Sequence, residues 1–593
     1  MIDRLNDWSV RHWRLIVILF WVGCALFAIF NRWAAIRGFA LGDTDDNLRM
    51  AQVRDLLGGQ DWYDLRQHRL DPAHGGANIH WSRLVDLPIA GLILALRPIL
   101  GGVDAERWAV AIAPLFAFLP MLFGLALVTR RLVDPRAVPL VLATILFAMS
   151  TTGMVQPLRL DHHGWQLAFL AIALAGVADP KRTRGGLTLG LASAASLAIG
   201  LEMLIYLALL GGATVLFWVA ERSERERLLA YAVSVSGGTA LSFLLFASYA
   251  NRAALCDALS PVWLGDALAA GAVMVGLAMV RADRWTVRLG LAVAAGAALI
   301  AFHAFASPHC LQRLEGVSPE ATELWLSHVR EARPIYRHGA QVVALMLALP
   351  LAGLIGWALL AWRAREDDDR LRRTLGVALP AVTALALLFW QTRTGPAAQM
   401  MSLPAAAAVA FILAPLAYRS RSALVRVPGT VLAVLVGLGA IVPLVLTYVP
   451  AERKTAAQKA VGVANRACPS LAGLAPVGRQ PRGIVFTFVD LGPRMIAVTH
   501  HDAIAGPYHR NDRAIADVMK AFRGDAEQAR RIVVDEYRSD YLLICPNMST
   551  ATIFRAEAPK GFYMQLMKGR VPGWLEPMDL GPKSPFKMWR VMR

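Results

Sequence analysis

Apolar stretches of about 15–25 residues, separated by short polar segments, follow one another from Trp13 to Pro450. A helix needs ~20 such residues to cross a bilayer, so the pattern predicts a polytopic α-helical membrane protein. The expected crossings are 13–34, 107–129, 137–153, 163–178, 186–201, 203–220, 228–249, 262–280, 288–306, 339–362, 374–391, 398–418 and 427–449. The first ends in Asn31-Arg32-Trp33 without a small-residue cleavage site, which predicts a retained helix and not a signal peptide. Leu87–Leu100 is also apolar, but it is short and carries Arg97-Pro98. It is expected to be a re-entrant or interfacial helix packed on protein.

Beyond residue 450 the pattern changes. Gly483–Val489 and Tyr541–Cys545 read as buried strands, and Arg513–Phe522 and Ala526–Tyr537 read as helices. Strand alternating with helix over about 140 residues predicts one small α/β domain with its own core. Two units follow: a membrane domain over 1–450 and an α/β domain over 451–593.

The chain is 56% hydrophobic and carries a net charge of +18. Its basic clusters fall between apolar spans: Arg4/Arg11/Arg14, Arg130/Arg131/Arg136, Lys181/Arg182/Arg184, Arg222/Arg225/Arg227, Arg281/Arg284/Arg288, Arg363 to Arg373 and Arg419/Arg421/Arg426. They occupy every second loop, as cytoplasmic loops do. Topology therefore accounts for the basicity, and no nucleic-acid partner is expected. This places the N-terminus in the cytoplasm. The loop 35–106, the junction at Asp161, the loop 307–338 and the tail lie outside, in the periplasm of a bacterial inner membrane. Cys256, Cys310, Cys468 and Cys545 share that oxidising side. Four cysteines allow three pairings; Cys256–Cys310 and Cys468–Cys545 keep each bridge within one region.

Polar chemistry gathers at two membrane boundaries. Asp43, Asp45 and Asp46 follow the first span, and Asp161-His162-His163 sits between two later ones. Acids at such boundaries are costly unless they hold a cation or act on a polar substrate. Capping the following helix explains one acid of the first group, but not three. Asp161 is open to the same explanation, beside interfacial histidines. The alternative is that both groups share one divalent site. Carboxylates suit Mg²⁺ or Mn²⁺, and an imidazole shifts the preference toward Mn²⁺.

An Asp-rich segment after helix one, a basic hairpin after helix two and an acidic motif after helix three resemble the GT-C membrane glycosyltransferases, above all the oligosaccharyltransferase catalytic subunits. The likeness extends over most of the chain. It implies a GT-C fold of about thirteen crossings and an external C-terminal α/β domain. It also implies transfer of a sugar or glycan from a polyprenyl-(pyro)phosphate donor, with a divalent cation (Mn²⁺ or Mg²⁺), to a lipid, glycan or protein acceptor. The segment Asp43 to Arg49 fits the family's first motif with Asp43 as metal carboxylate, and a shift of register selects Asp45. Asp161-x-His163 stands in for the acid-x-acid pair. Glu320 corresponds to the late-loop glutamate on metal and acceptor, and Arg393, with Arg49, to donor-phosphate contacts. Where the acceptor-reading WWD motif belongs, this chain has Phe488-Val489-Asp490: the acid stays and both tryptophans are gone. Asp490, His500, His501, His509 and Arg510 are then the expected acceptor or sugar contacts, and a non-sequon acceptor is preferred.

A transporter or flippase of lipid-linked glycans is the main rival reading. Transporters place ionisable groups near the midplane and often show inverted repeats. Here Glu202 is the only prominent acid near a span interior, and no repeat is visible. An inactive GT-C fold serving in assembly is the third reading.

Overall fold

The computed structural model describes residues 2–312, 316–450 and 453–593. Residues 313–315 of the late loop and 451–452 beside the expected domain boundary lie outside them. Among the described residues seven helices are long and apolar enough to cross a membrane: Trp13–Asn31, Gly102–Leu132, Arg222–Phe246, Pro261–Met279, Trp285–Ala306, Ala340–Arg363 and Thr392–Tyr418. Pro135–Ile145, His163–Ala178, Leu204–Ala220 and Ala423–Leu438 are shorter apolar helices. Arg182–Ile199 and Asp368–Leu387 complete the set, so a helix overlaps each of the thirteen expected intervals.

Local sequence sets the helix ends. Ser260 caps Pro261–Met279, its hydroxyl accepting from Val262 N with proline at the first position. Asp367 caps Asp368–Leu387 in the same way through Arg370 N. The expected crossing 427–449 is not one helix. Gly439, at φ 71°, ends the first piece in the left-handed region and Ile441–Leu446 starts a new one. Leu26, Ile300 and Phe305 are exposed on the outer surface of the bundle. Apolar surface of that extent is what a bilayer covers. At one end of the bundle, buried acids gather arginines: Asp179 pairs with Arg131 and Glu224 with Arg227.

The apolar piece left out of the crossings is the helix Asp86–Leu100, which packs on Gly102–Leu132. Before it runs the helix Thr44–Leu57, the acidic helix of the first long loop.

The tail holds a five-stranded sheet of order β2-β1-β3-β5-β4, with β1 Ile484–Phe486, β2 Asp502–Ala503, β3 Tyr541–Ile544, β4 Leu575–Met578 and β5 Lys587–Val591. β1 pairs in parallel with β2 and β3, while β3–β5 and β5–β4 are antiparallel. The expected strand 483–489 is shorter than the apolar run, because Val489–Leu491 turns into a 3₁₀ segment. The helix expected over 526–537 is α-helical only to Arg530 and continues as a π-turn. The hairpin β4–β5 has no counterpart in the sequence reading.

The tail does not stand apart. Its core is continuous with Leu48, Leu65, Leu70, Ile79 and Trp81 of the first loop. The Arg69 guanidinium donates to the carbonyls of Ile496, Thr499 and His501. Disulfides join Cys256 to Cys310 and Cys468 to Cys545.

Candidate active site

The two acidic groups meet because Asp46 binds both. Its Oδ2 accepts from Asp43 N at 3.0 Å and closes a capping box, with Asp43 accepting from Asp45 N and Asp46 N. Its Oδ1 accepts from Leu160 N at 2.7 Å and Asp161 N at 3.0 Å. One buried carboxylate thus caps a helix and fixes that helix start to a backbone more than a hundred residues away. Gly42 leaves the room: a Cβ there would lie 2.6 Å from Asp46 Oδ2.

Around this pin stand the other groups. The Arg159 guanidinium pairs with Asp43, with Asp46 at 3.4 Å and with Asp161 at 3.2 Å. His163 Nδ1 pairs with Asp161 Oδ2. His162 Nε2 lies 2.8 Å from Glu202 Oε1, and Gln166 donates to the other oxygen of Glu202. Asp45 sits beside them on the first turn, and Glu331 of the late loop is near enough for its charge to act on Asp45.

The electrostatics follow from burial and crowding. Burial, then the neighbouring Asp161 charge, pushes the Asp45 carboxyl up to about 8. Burial also raises Asp46, opposed by the backbone N–H groups it accepts. For Asp161 burial acts upward too, but His163 and His162 outweigh it and hold the carboxyl well below its ordinary range. Burial would lower His162; Asp161 and Glu202 overcome it and hold the imidazolium up to about 10.

A divalent cation fits this donor set. Asp161, His162 and His163 each bring a ligand atom within 4.8 Å of the others. His162 Nδ1 lies 2.6 Å from Asp161 Oδ1. Carboxylate with imidazole suits Mn²⁺ better than a purely oxygen-seeking ion. Asp161, His163 and a carboxylate of the acidic helix are the residues that would hold it.

No protein-family model matches the chain, and no curated protein matches it. Solved structures do. Archaeal oligosaccharyltransferase AglB from Archaeoglobus fulgidus, in complex with an inhibitory peptide and a dolichol-phosphate, superposes with a TM-score of 0.68 at 16% identity, over 96% of this chain and 73% of that one. The chain has the oligosaccharyltransferase fold. An A. fulgidus oligosaccharyltransferase tethered to an acceptor peptide with the NVT sequon gives 0.65 at 15% identity over 99% and 75%. Its complex with Zn and sulfate gives 0.60 at 15% identity over 97% and 73%. The GT-C resemblance read from the motifs is therefore matched in three dimensions across nearly the whole chain.

On this oligosaccharyltransferase fold the expected site residues divide. Asp43, Asp45, Asp161 and His163 come together. Arg393 lies on the late-loop side, 3.7 Å from Glu331. Glu320 does not reach the acids; it is half-exposed and 2.8 Å from Lys520 of the tail. Arg49 is fully buried against Asp86 at 2.9 Å and stacked on Trp81, near enough for its charge to act on Asp45. Asp490 is half-buried on the tail, accepting from the Thr550 hydroxyl at 2.6 Å. His500 bonds the Gln480 carbonyl, and His501 is buried between the carbonyls of Val477 and Gly483. His509 and Arg510 both grip Asp257, at 2.6 Å and 2.7 Å, and so clamp the tail to the disulfide-bonded loop. The sequence reading missed Arg159 and Glu331. Arg159 was two positions before Asp161, a spacing that places a cation on the same acids.

Proposed function

We propose that this protein is a glycosyltransferase of the extracytoplasmic membrane face, moving a sugar or glycan from a polyprenyl-(pyro)phosphate donor to a lipid or glycan acceptor. The observation that carries this reading is the convergence of Asp43, Asp45, Asp161 and His163 through the Asp46 pin. The fold adds support, since one A. fulgidus relative holds dolichol-phosphate and another Zn and sulfate. Thirteen crossings, a cytoplasmic N-terminus and a periplasmic tail belong to the same proposal, resting on the alternation of basic loops.

In this reading Asp161, His163 and Asp43 or Asp45 hold Mn²⁺ or Mg²⁺, which when bound neutralises the departing phosphate. The anomeric carbon–oxygen bond to phosphate breaks, its electron pair leaving with the phosphate. The acceptor oxygen or nitrogen bonds the same carbon, and its proton passes to a carboxylate at the cleft. Asp45 takes that proton in this reading, and Glu331, whose charge acts on Asp45, takes the late-loop part expected of Glu320. Arg393, on the same side, meets the donor phosphate. His162 and Glu202 hold Asp161 in orientation. The occupied Asp490 favours an acceptor other than a sequon peptide.

The test is turnover. Purified protein in liposomes, given a radiolabelled polyprenyl-phosphate-linked sugar, a lipid or glycan acceptor and Mn²⁺, should move the label to the acceptor and release polyprenyl phosphate, and chelator should stop both. Release that persists in chelator overturns the metal-assisted reading, and passage of the intact lipid-linked sugar across the bilayer without release supports a flippase.

A further inference from the structure

Arg159 stands where the acids of this site converge, and it borders an apolar slot. One guanidinium reaches Asp43, Asp46 and Asp161, and is itself mostly buried. Three carboxylates around one cation make a stable arrangement, and a second cation entering among them meets like-charge repulsion at close range. The same side chain, with Asp161, lines a shallow, half-open groove whose other walls include Pro88, Ile89, Ala117, Met154 and Trp165. Leu87 and Phe116, next in the chain to two of those residues, are exposed and apolar, on a protein surface that a bilayer covers. The slot is thus greasy along its walls and cationic at one end. That is the chemistry of a lipid phosphate: a hydrocarbon chain between helices with its anion on a forked guanidinium.

We infer that Arg159 is an exchangeable counter-ion with two positions. Without a divalent cation it is locked on Asp43, Asp46 and Asp161; with the cation on those acids it turns to the slot and binds the phosphate of the lipid substrate. The inference rests on the metal-assisted reading above and assigns to Arg159 a part that reading does not contain. Cation binding and phosphate binding are coupled by this exchange, since the same event that fills the acids frees the guanidinium. The exchange keeps the acids neutralised while the site waits for substrate.

The two positions predict opposite effects from one substitution. Detergent-purified wild type, Arg159→Gln, Arg159→Lys and Asp161→Asn are titrated with Mn²⁺ alone, and with a polyprenyl phosphate in saturating Mn²⁺. Arg159→Gln should bind Mn²⁺ about tenfold more tightly, because a competing charge is gone, and polyprenyl phosphate about tenfold more weakly. Arg159→Lys keeps the charge without the fork and should fall between on both measures. An arginine that only held the acids in place would weaken Mn²⁺ binding when removed, and that result overturns the inference. So does unchanged lipid-phosphate affinity in Arg159→Gln. Inorganic phosphate competing as well as the polyprenyl phosphate would overturn the slot's part. If Arg159→Gln does not fold, Arg159→Lys carries the test: Mn²⁺ affinity equal to or below wild type overturns the inference. Absence of Mn²⁺ binding in wild type and variants alike overturns the metal-assisted reading itself, and this inference with it.

Discussion

Arg494 Nη1, on the tail, lies 3.0 Å from Asn47 Oδ1, on the helix that begins at the acids. The same nitrogen donates to the Phe39 carbonyl at 2.9 Å, and Arg494 Nε donates to the Pro469 carbonyl at 2.7 Å. Asn47 in turn donates to the Asp43 carbonyl. The tail therefore holds the start of the acidic helix, within one turn of Asp43 and Asp45, the proposed metal carboxylates. Arg494→Ala strands buried acceptors and should cost about 2–4 kcal/mol of stability. It should also weaken Mn²⁺ binding. Thermal unfolding and a Mn²⁺ titration on the same preparation check both; full Mn²⁺ affinity in a destabilised variant would separate the tail from the site.

Asp257 supplies the pH dependence. Burial acts to raise its carboxyl, but the Arg510 and His509 hydrogen bonds outweigh burial and hold it well below the carboxylate range. A depressed folded pKa contributes stability above pH ~4, lost as pH falls through the folded value. The tail should thus loosen from the 247–260 loop in acid. Asp257→Asn should be less stable at pH 7 by about 3 kcal/mol, with a flatter loss between pH 4 and 2. Proteolytic release of the tail across that range is the measurement.

Asp490 and Thr550 bear on the acceptor. Burial pushes the Asp490 carboxyl up, against the Thr550 hydroxyl bond. A raised carboxyl contributes stability at low pH that is lost as pH rises. Asp490→Asn should therefore match or exceed wild-type stability at neutral pH while keeping turnover within about twofold. A selective rise in acceptor KM would instead make Asp490 an acceptor contact.

The Cys468–Cys545 bridge spans a sequence separation of 77 residues. Replacing both cysteines by serine should cost roughly 2–4 kcal/mol, seen as a lower unfolding temperature of the tail under non-reducing conditions.

The fold was largely legible because its signals are local. Apolar run length marks the helices of the bundle, and Asp43 announces a helix start. Asp161-x-His163 was legible as a cluster for the same reason. What stayed hidden depends on distant partners. Nothing near Arg49 in sequence says that Asp86 and Trp81 bury it, and nothing near Arg510 says that Asp257 takes it. Glu320 and Glu331 look alike as late-loop acids; only packing sends the first to Lys520 and the second to Arg393. Gly439 breaks an apolar run that by composition reads as a single crossing.

The central claim is that the acids hold a cation facing a lipid-linked phosphate. Its most direct test is the phosphorus coupling of bound Mn²⁺ by pulsed electron paramagnetic resonance, with a polyprenyl phosphate present. The account predicts a ³¹P coupling in wild type that Asp161→Asn abolishes together with Mn²⁺ binding. Tightly bound Mn²⁺ without ³¹P coupling, or a coupling unchanged in Asp161→Asn, would contradict it.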